Sequence, residues 1–190
     1  MKLFIKLTQL LLLYVFVLQL GKEQKKNPTE PTKLPQEINA AMPPTQYSGT
    51  GKLTFFGLNV YDASLWVSPG FKANDFDDHA FALDLHYLRN FSAVDIAKRS
   101  LDEMQRIEPV PEEQAIQWIK AMSEAFPNVK KGDRLIGVHQ PGGGATFWLN
   151  GKRSGEIRDA KFSRQFFAIW LSPKTSQPKL RLALLGKVNL

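Results

Sequence analysis

Three histidines and no cysteine bound the chemistry available to this 190-residue chain. His79, His86 and His139 lie far apart, never at the i, i+4 spacing that sets two imidazoles on one helix face, so a histidine metal site is not expected. The absence of cysteine removes a disulfide framework, a thiolate metal site, a thiol nucleophile and an acylated lipoprotein anchor. The carboxylates of "NDFDDH" (74–79) could touch calcium, but the ligand order of an EF-hand, its glycine and its glutamate are missing, and a solvated loop is expected. "PGGGAT" (141–146) lacks the GK[ST] of a phosphate loop and reads as a hairpin loop. No G-x-S-x-G occurs, so there is no nucleophile elbow. No motif calls for a cofactor. What remains is aromatic: "FFAIWLSPKTSQP" (166–178) sets two phenylalanines and a tryptophan against two prolines, as core or as the wall of a pocket.

Charge narrows the partners. The chain carries a net +7, and residues 141–190 alone hold nine basic against two acidic side chains. Such a stretch suits an anionic ligand, a membrane surface or an acidic partner. The charges alternate with apolar residues rather than running together, which fits a solvated cationic face. Neither an RNA-binding signature nor a stacking platform accompanies them, so nucleic acid is not expected.

The elements that must position any site follow from periodicity. "TGKLTFF" (50–56) and "NVYDASLWV" (59–67) read as two strands about a Gly57-Leu58 corner. In the second, Tyr61, Ala63, Leu65 and Val67 share one face. "FALDLHYL" (81–88) alternates as a half-buried antiparallel strand. A helix opens at Ser92, where Ser92 and Asp95 form a capping-box-like S-x-x-D and Phe91 can staple against Ile96. A second helix has Pro111 at its first position and ends before Pro127. "DRLIGVHQ" (133–140), "GATFWLN" (144–150) and "KRSGEI" (152–157) form a meander whose last turn is Asn150-Gly151. Asp159 then caps a helix with Phe162, Phe166, Ile169 and Trp170 on its inner face and Lys161, Arg164, Gln165 and Ala168 outward. A short helix follows Pro178 and closes at Gly186. This order predicts an α+β fold, a largely antiparallel sheet backed by helices. The aromatic cluster is then mainly core, with some of its rings bordering a cavity.

Lys2 and Lys6 precede the apolar run "LTQLLLLYVFVLQL" (7–20), the layout of a signal peptide or an uncleaved N-terminal anchor over residues 1–20. Residues 21–47 are polar and dotted with proline, and read as a spacer. The folded domain is expected over 48–187, exported and periplasmic.

The blocks "YLRNFSAVDIAKRSLDEM", "FPNVKKGDRL" and "GEIRDAKFSRQFFAIWLSPKTSQPKLRLALLG" occur in that order and resemble the bacterial chalcone isomerase-like domain family over about residues 48–187. The resemblance implies an open-faced β-sandwich in which a large antiparallel sheet is backed by helices. In the plant isomerases of this kind, an Arg, a Thr, a Tyr and an Asn hold the substrate phenolate and help position a water during ring closure. Placing "NVY" on the family's G-V-Y puts Phe56 at the Thr position. The Tyr position falls at Phe91, the Asn position at about Lys98, and the segment from Ile38 to Gly51 offers no Arg.

None of the four catalytic groups is kept, so the resemblance implies a non-catalytic protein that binds a small hydrophobic or amphipathic ligand such as a fatty acid. Fatty-acid-binding relatives on this fold hold a carboxylate with Arg and Tyr; Tyr87 and Arg89, at a strand end, are the nearest equivalents. With Tyr61, Phe56 and Phe91 they make up the candidate ligand-contacting set. The alternatives are an isomerase or intramolecular lyase with a rearranged site, and a scaffold whose basic C-terminal region meets a membrane surface or a partner.

Overall fold

The computed structural model describes residues 31, 33–42, 44–186 and 188; the apolar run 7–20 and residues 21–30 of the expected spacer lie outside them. Six strands form one antiparallel sheet in which every strand pairs with its neighbour in sequence: β1 (Gln46–Phe55), β2 (Leu58–Val67), β3 (Phe81–Tyr87), β4 (Arg134–Gln140), β5 (Gly144–Leu149) and β6 (Lys152–Ile157). Helices α2 (Ala93–Ile107) and α3 (Glu112–Ala125) are inserted between β3 and β4, while α4 (Ala160–Leu171) and α5 (Pro178–Leu184) follow β6. All four pack on one face of the sheet.

The local signals explain the boundaries. Ser92 Oγ accepts the Asp95 N–H at 3.1 Å and caps α2; Asp159 Oδ1 accepts the Phe162 N–H at 2.9 Å and caps α4. Pro111 sits just before α3 rather than as its first residue. The face of α4 read as outward is only half so: Gln165 and Ala168 are buried, because α2 covers the side of α4 turned away from the sheet.

Two hairpins turn through two residues with left-handed φ at both, as type I′ geometry requires. Asn150-Gly151 does so at 49° and 83°, and Phe56-Gly57 at 48° and 76°. The first corner therefore falls one residue earlier than expected. It lifts Phe56 out of the strand.

The main core lies between the sheet and helices α2–α5 and is dominated by rings, among them Phe81, Trp118, Phe147, Phe162 and Phe167. Helix α5 reaches the edge strand β1 through small residues. A Cβ on Gly49 would stand 2.1 Å from the Ala183 carbonyl oxygen, and Ser48 donates to the Leu184 carbonyl at 2.7 Å.

A second, smaller cluster occupies the other face. Helix α1 (Gln36–Ala41) places Ile38, with Met42 after it, over Trp66, Ala82, Ile136 and Val138. The stretch expected as a spacer therefore holds a helix over these residues: two apolar side chains suffice to fold a single helical turn and a half onto the sheet. Polar contacts pin it. Arg134 Nη2 reaches Glu37 Oε1 at 2.5 Å, and Arg134 Nε lies 3.8 Å from Asp84 Oδ1. Burial raises the Asp84 carboxyl to about 6, against the pull of Arg134 and with the help of the Glu37 charge.

Candidate ligand cavity

The register of β2 on β3 sets Tyr61 opposite Tyr87, both on the helix-covered face, with ring centroids 5.8 Å apart. Around these two rings opens a cavity of about 350 Å³ between the sheet, α2, α4 and the start of α5. Its walls are apolar: Leu53, Val60, Leu85 and Leu135 from the strands, Phe91 and Ile96 about the start of α2, Phe166, Ile169 and Trp170 from α4. The cluster read from the sequence as core bordering a cavity is both at once. Phe166 and Trp170 are buried and meet edge to face, Phe166 also packs against Phe126, Phe147 and Phe162, and both still present one side to the empty space.

Few polar groups enter. Trp170 Nε1 donates to the Tyr61 hydroxyl at 2.9 Å, which leaves the phenolic proton of Tyr61 for another acceptor. The Tyr87 hydroxyl bonds to no described residue. Burial pushes both phenols well above their usual pKa, so both stay protonated donors. On α2, Glu103 is a buried carboxylate in the wall; Arg99 holds one oxygen at 2.5 Å and Arg106 the other at 3.2 Å. Arg99 also lies 5.4 Å above the Phe55 ring, so it bridges the β1–β2 hairpin and α2 at the cavity edge.

This arrangement can hold an apolar body and donate hydrogen bonds to a polar head. Its two phenols, held far above their normal pKa by burial, neither give nor take a proton readily near neutral pH. One pair elsewhere resembles an activated nucleophile. Ser163 Oγ lies 2.7 Å from His139 Nδ1, but Ser163 is completely buried, His139 Nε2 is engaged by the Asp77 carbonyl at 3.0 Å, and neither residue reaches the cavity. Among the described residues no three His, Asp or Glu side chains gather as a metal site.

Of the five residues named from sequence, Tyr61, Tyr87 and Phe91 stand on the cavity wall. The other two do not. Arg89 is exposed, its Nε donating to the Asn59 carbonyl at 3.0 Å beside the first hairpin, and Phe56 is 89% exposed at the turn, while its neighbour Phe55 lines the cavity. Lys98 is exposed on α2. Sequence reasoning missed Arg99, Glu103 and Trp170 as polar members of the wall. The first two carried one usable signal: with Ile96 and Ser100 they fall on one face of α2 at helical spacing. Of the basic C-terminal region, Arg153 and Arg158 are paired with Glu156, and Arg164 with Glu108.

Comparison with known proteins agrees with this geometry. An uncharacterized protein of Haemophilus influenzae is 27% identical over 142 residues, which cover 74% of this chain and 68% of that one. The crystal structure of a fatty-acid binding protein of Arabidopsis thaliana superposes with a TM-score of 0.58 at 10% identity, covering 82% of this chain and 90% of that one, a likeness of fold. A sequence model described as chalcone isomerase-like matches residues 28–186, which takes in α1 as well as the sheet and its helices. The chain belongs to the chalcone isomerase-like family.

Proposed function

We propose that this protein is a non-catalytic binder of a small amphipathic ligand, such as a fatty acid, with the acyl chain in the cavity and the polar head at the tyrosine hydroxyls. One observation carries the reading: an apolar cavity of about 350 Å³, within the range of small-ligand sites, that presents two protonated phenols. The fatty-acid binding of the Arabidopsis protein that shares the fold supports the same ligand class. The missing Arg, Thr, Tyr and Asn of the plant isomerases speak against ring closure.

Calorimetric titration with saturated fatty acids of increasing length, without vesicles, tests it. Each added methylene should improve affinity by about 0.8 kcal/mol until the cavity is full. Tyr87→Phe, which removes the unpaired donor and little volume, should weaken every member of the series alike. No binding at any length would overturn the proposal. We also infer export, from the Lys-flanked apolar run 7–20. A reporter active only outside the cytoplasm should work when fused after residue 48; silence would refute it.

A further inference from the structure

The same turn is built twice in this molecule with different residues. At the β5–β6 corner the first left-handed position holds Asn150, one of the residues that tolerates positive φ; at the β1–β2 corner it holds Phe56, at an almost identical 48°. A bulky aromatic there is strained, and Phe56 is not repaid by burial, being 89% exposed. Beside it Phe55 is 47% and Leu58 50% exposed, and the Phe55 and Phe56 rings meet edge to face at 4.5 Å. A local rule broken without a structural gain points to function. The tip also adjoins the cavity, because Phe55 is at once exposed and part of its wall.

We propose that the β1–β2 hairpin tip is a membrane-docking finger: Phe55, Phe56 and Leu58 insert among the acyl chains of an anionic bilayer, and Arg89 and Arg99 meet its phosphates. The charges fit that surface rather than a neutral one. Arg89 sits at Asn59 with no carboxylate partner among the described residues. Arg99 lies on Phe55, and its partner Glu103 keeps Arg106 when Arg99 turns to a phosphate. Asp95, the other acidic residue of the cavity wall, is bonded to Ser92 at 2.6 Å. No described helix is long and apolar enough to cross a membrane, so this contact is interfacial. Docking would set the cavity mouth against the lipid, yet it does not depend on the ligand reading, which is tested without vesicles.

Because the chain has no cysteine, Leu58→Cys in the full-length protein gives a single labelling site for an environment-sensitive fluorophore. With vesicles of phosphatidylcholine and phosphatidylglycerol its emission should shift to the blue, and less so with phosphatidylcholine alone. The same label at Ile116→Cys, 66% exposed on α3, should not shift, even if residues 7–20 tether the chain to the vesicle. Adding Phe56→Asn, which restores the preferred turn pair and should leave the melting temperature unchanged or higher, should abolish the Leu58→Cys shift. A label that stays in water overturns the proposal and leaves the tip to a protein partner. An equal shift at Ile116→Cys, or one that survives Phe56→Asn, overturns it as well. A blue-shifted label before lipid is added, growing with protein concentration, would assign the tip to a second copy of the chain and overturn it too.

Discussion

Replacing Asp84 by Asn should make the domain more stable at neutral pH and leave it unchanged in acid. Asp84 lies on β3 beneath α1, and burial holds its carboxyl at about 6, against a reference near 3.8. A raised acid pKa means that the native state binds the proton more tightly than the unfolded chain. Between pH 3.8 and 6 the native state therefore carries more protons, and stability falls as pH rises through that window, levelling off above it. The shift corresponds to roughly 3 kcal/mol at about 1.4 kcal/mol per pKa unit. Asn mimics the neutral acid, so Asp84→Asn should match the parent near pH 4 and exceed it by about 3 kcal/mol at pH 7.5. His139 works in the opposite direction. Burial lowers its pKa below 6.5, so its contribution is lost as pH falls through that region, but it does so in both proteins and cancels in the difference. Urea unfolding of both proteins at half-unit steps from pH 4 to 8 reads the difference directly. A difference that does not change with pH would show that Asp84 is ionised normally and refute the reasoning.

Phe166→Ala and Trp170→Ala should each destabilise the domain by about 3 kcal/mol, the lower end for a buried ring because one side of each already faces empty space, and each should shift the preferred acyl length upward; melts that match the parent would refute the core role. Gly49→Ala should be as damaging as a core truncation, by about 3 kcal/mol, since the new Cβ meets the Ala183 backbone and α5 must move; an unchanged urea midpoint would show that α5 is not seated on β1. Incubation with a chalcone should give no cyclisation above the spontaneous rate, because loss of a single charge-stabilising donor costs about 10²–10³ and several are missing here; heat-labile turnover would overturn that expectation.

The strand and helix pattern was legible where period and cap agreed. Ser92 and Asp159 announced α2 and α4, and Asn150-Gly151 fixed the last hairpin, because each signal is a local hydrogen-bonding or steric requirement. The first hairpin misled for the same reason. Phe56 is not a turn residue by propensity, so the pattern alone puts the corner at Gly57-Leu58 and Phe56 in a strand, able to face a ligand. Helix α1 was hidden among prolines, since its stability comes from Ile38 and Met42 meeting a sheet face distant in sequence rather than from its own composition. In the cavity, Tyr61 and Tyr87 were visible through strand alternation. Glu103 was only half visible: it shares a face of α2 with Ile96 and Ser100, but nothing in a charged i, i+4 pair reveals that packing has buried one member.

Because β1 to β6 follow one another across the sheet, most pairings close over short stretches of chain, and the folding order should reflect it. The β1–β2 and β5–β6 hairpins need only two connecting residues each, whereas β3 and β4 must wait for residues 88–133 to collapse between them. The seating of α5 on β1 joins the two sequence ends of the folded domain, with the Ser48 hydroxyl on the Leu184 carbonyl as its marker. That contact carries the largest sequence separation and should form last, so the cavity lacks its Leu180 wall until the end of folding and cannot trap a ligand in an early intermediate. Pulsed hydrogen exchange during refolding should protect the amides of both hairpins before those of α5; simultaneous protection would mean that the sheet and its last helix form as one unit.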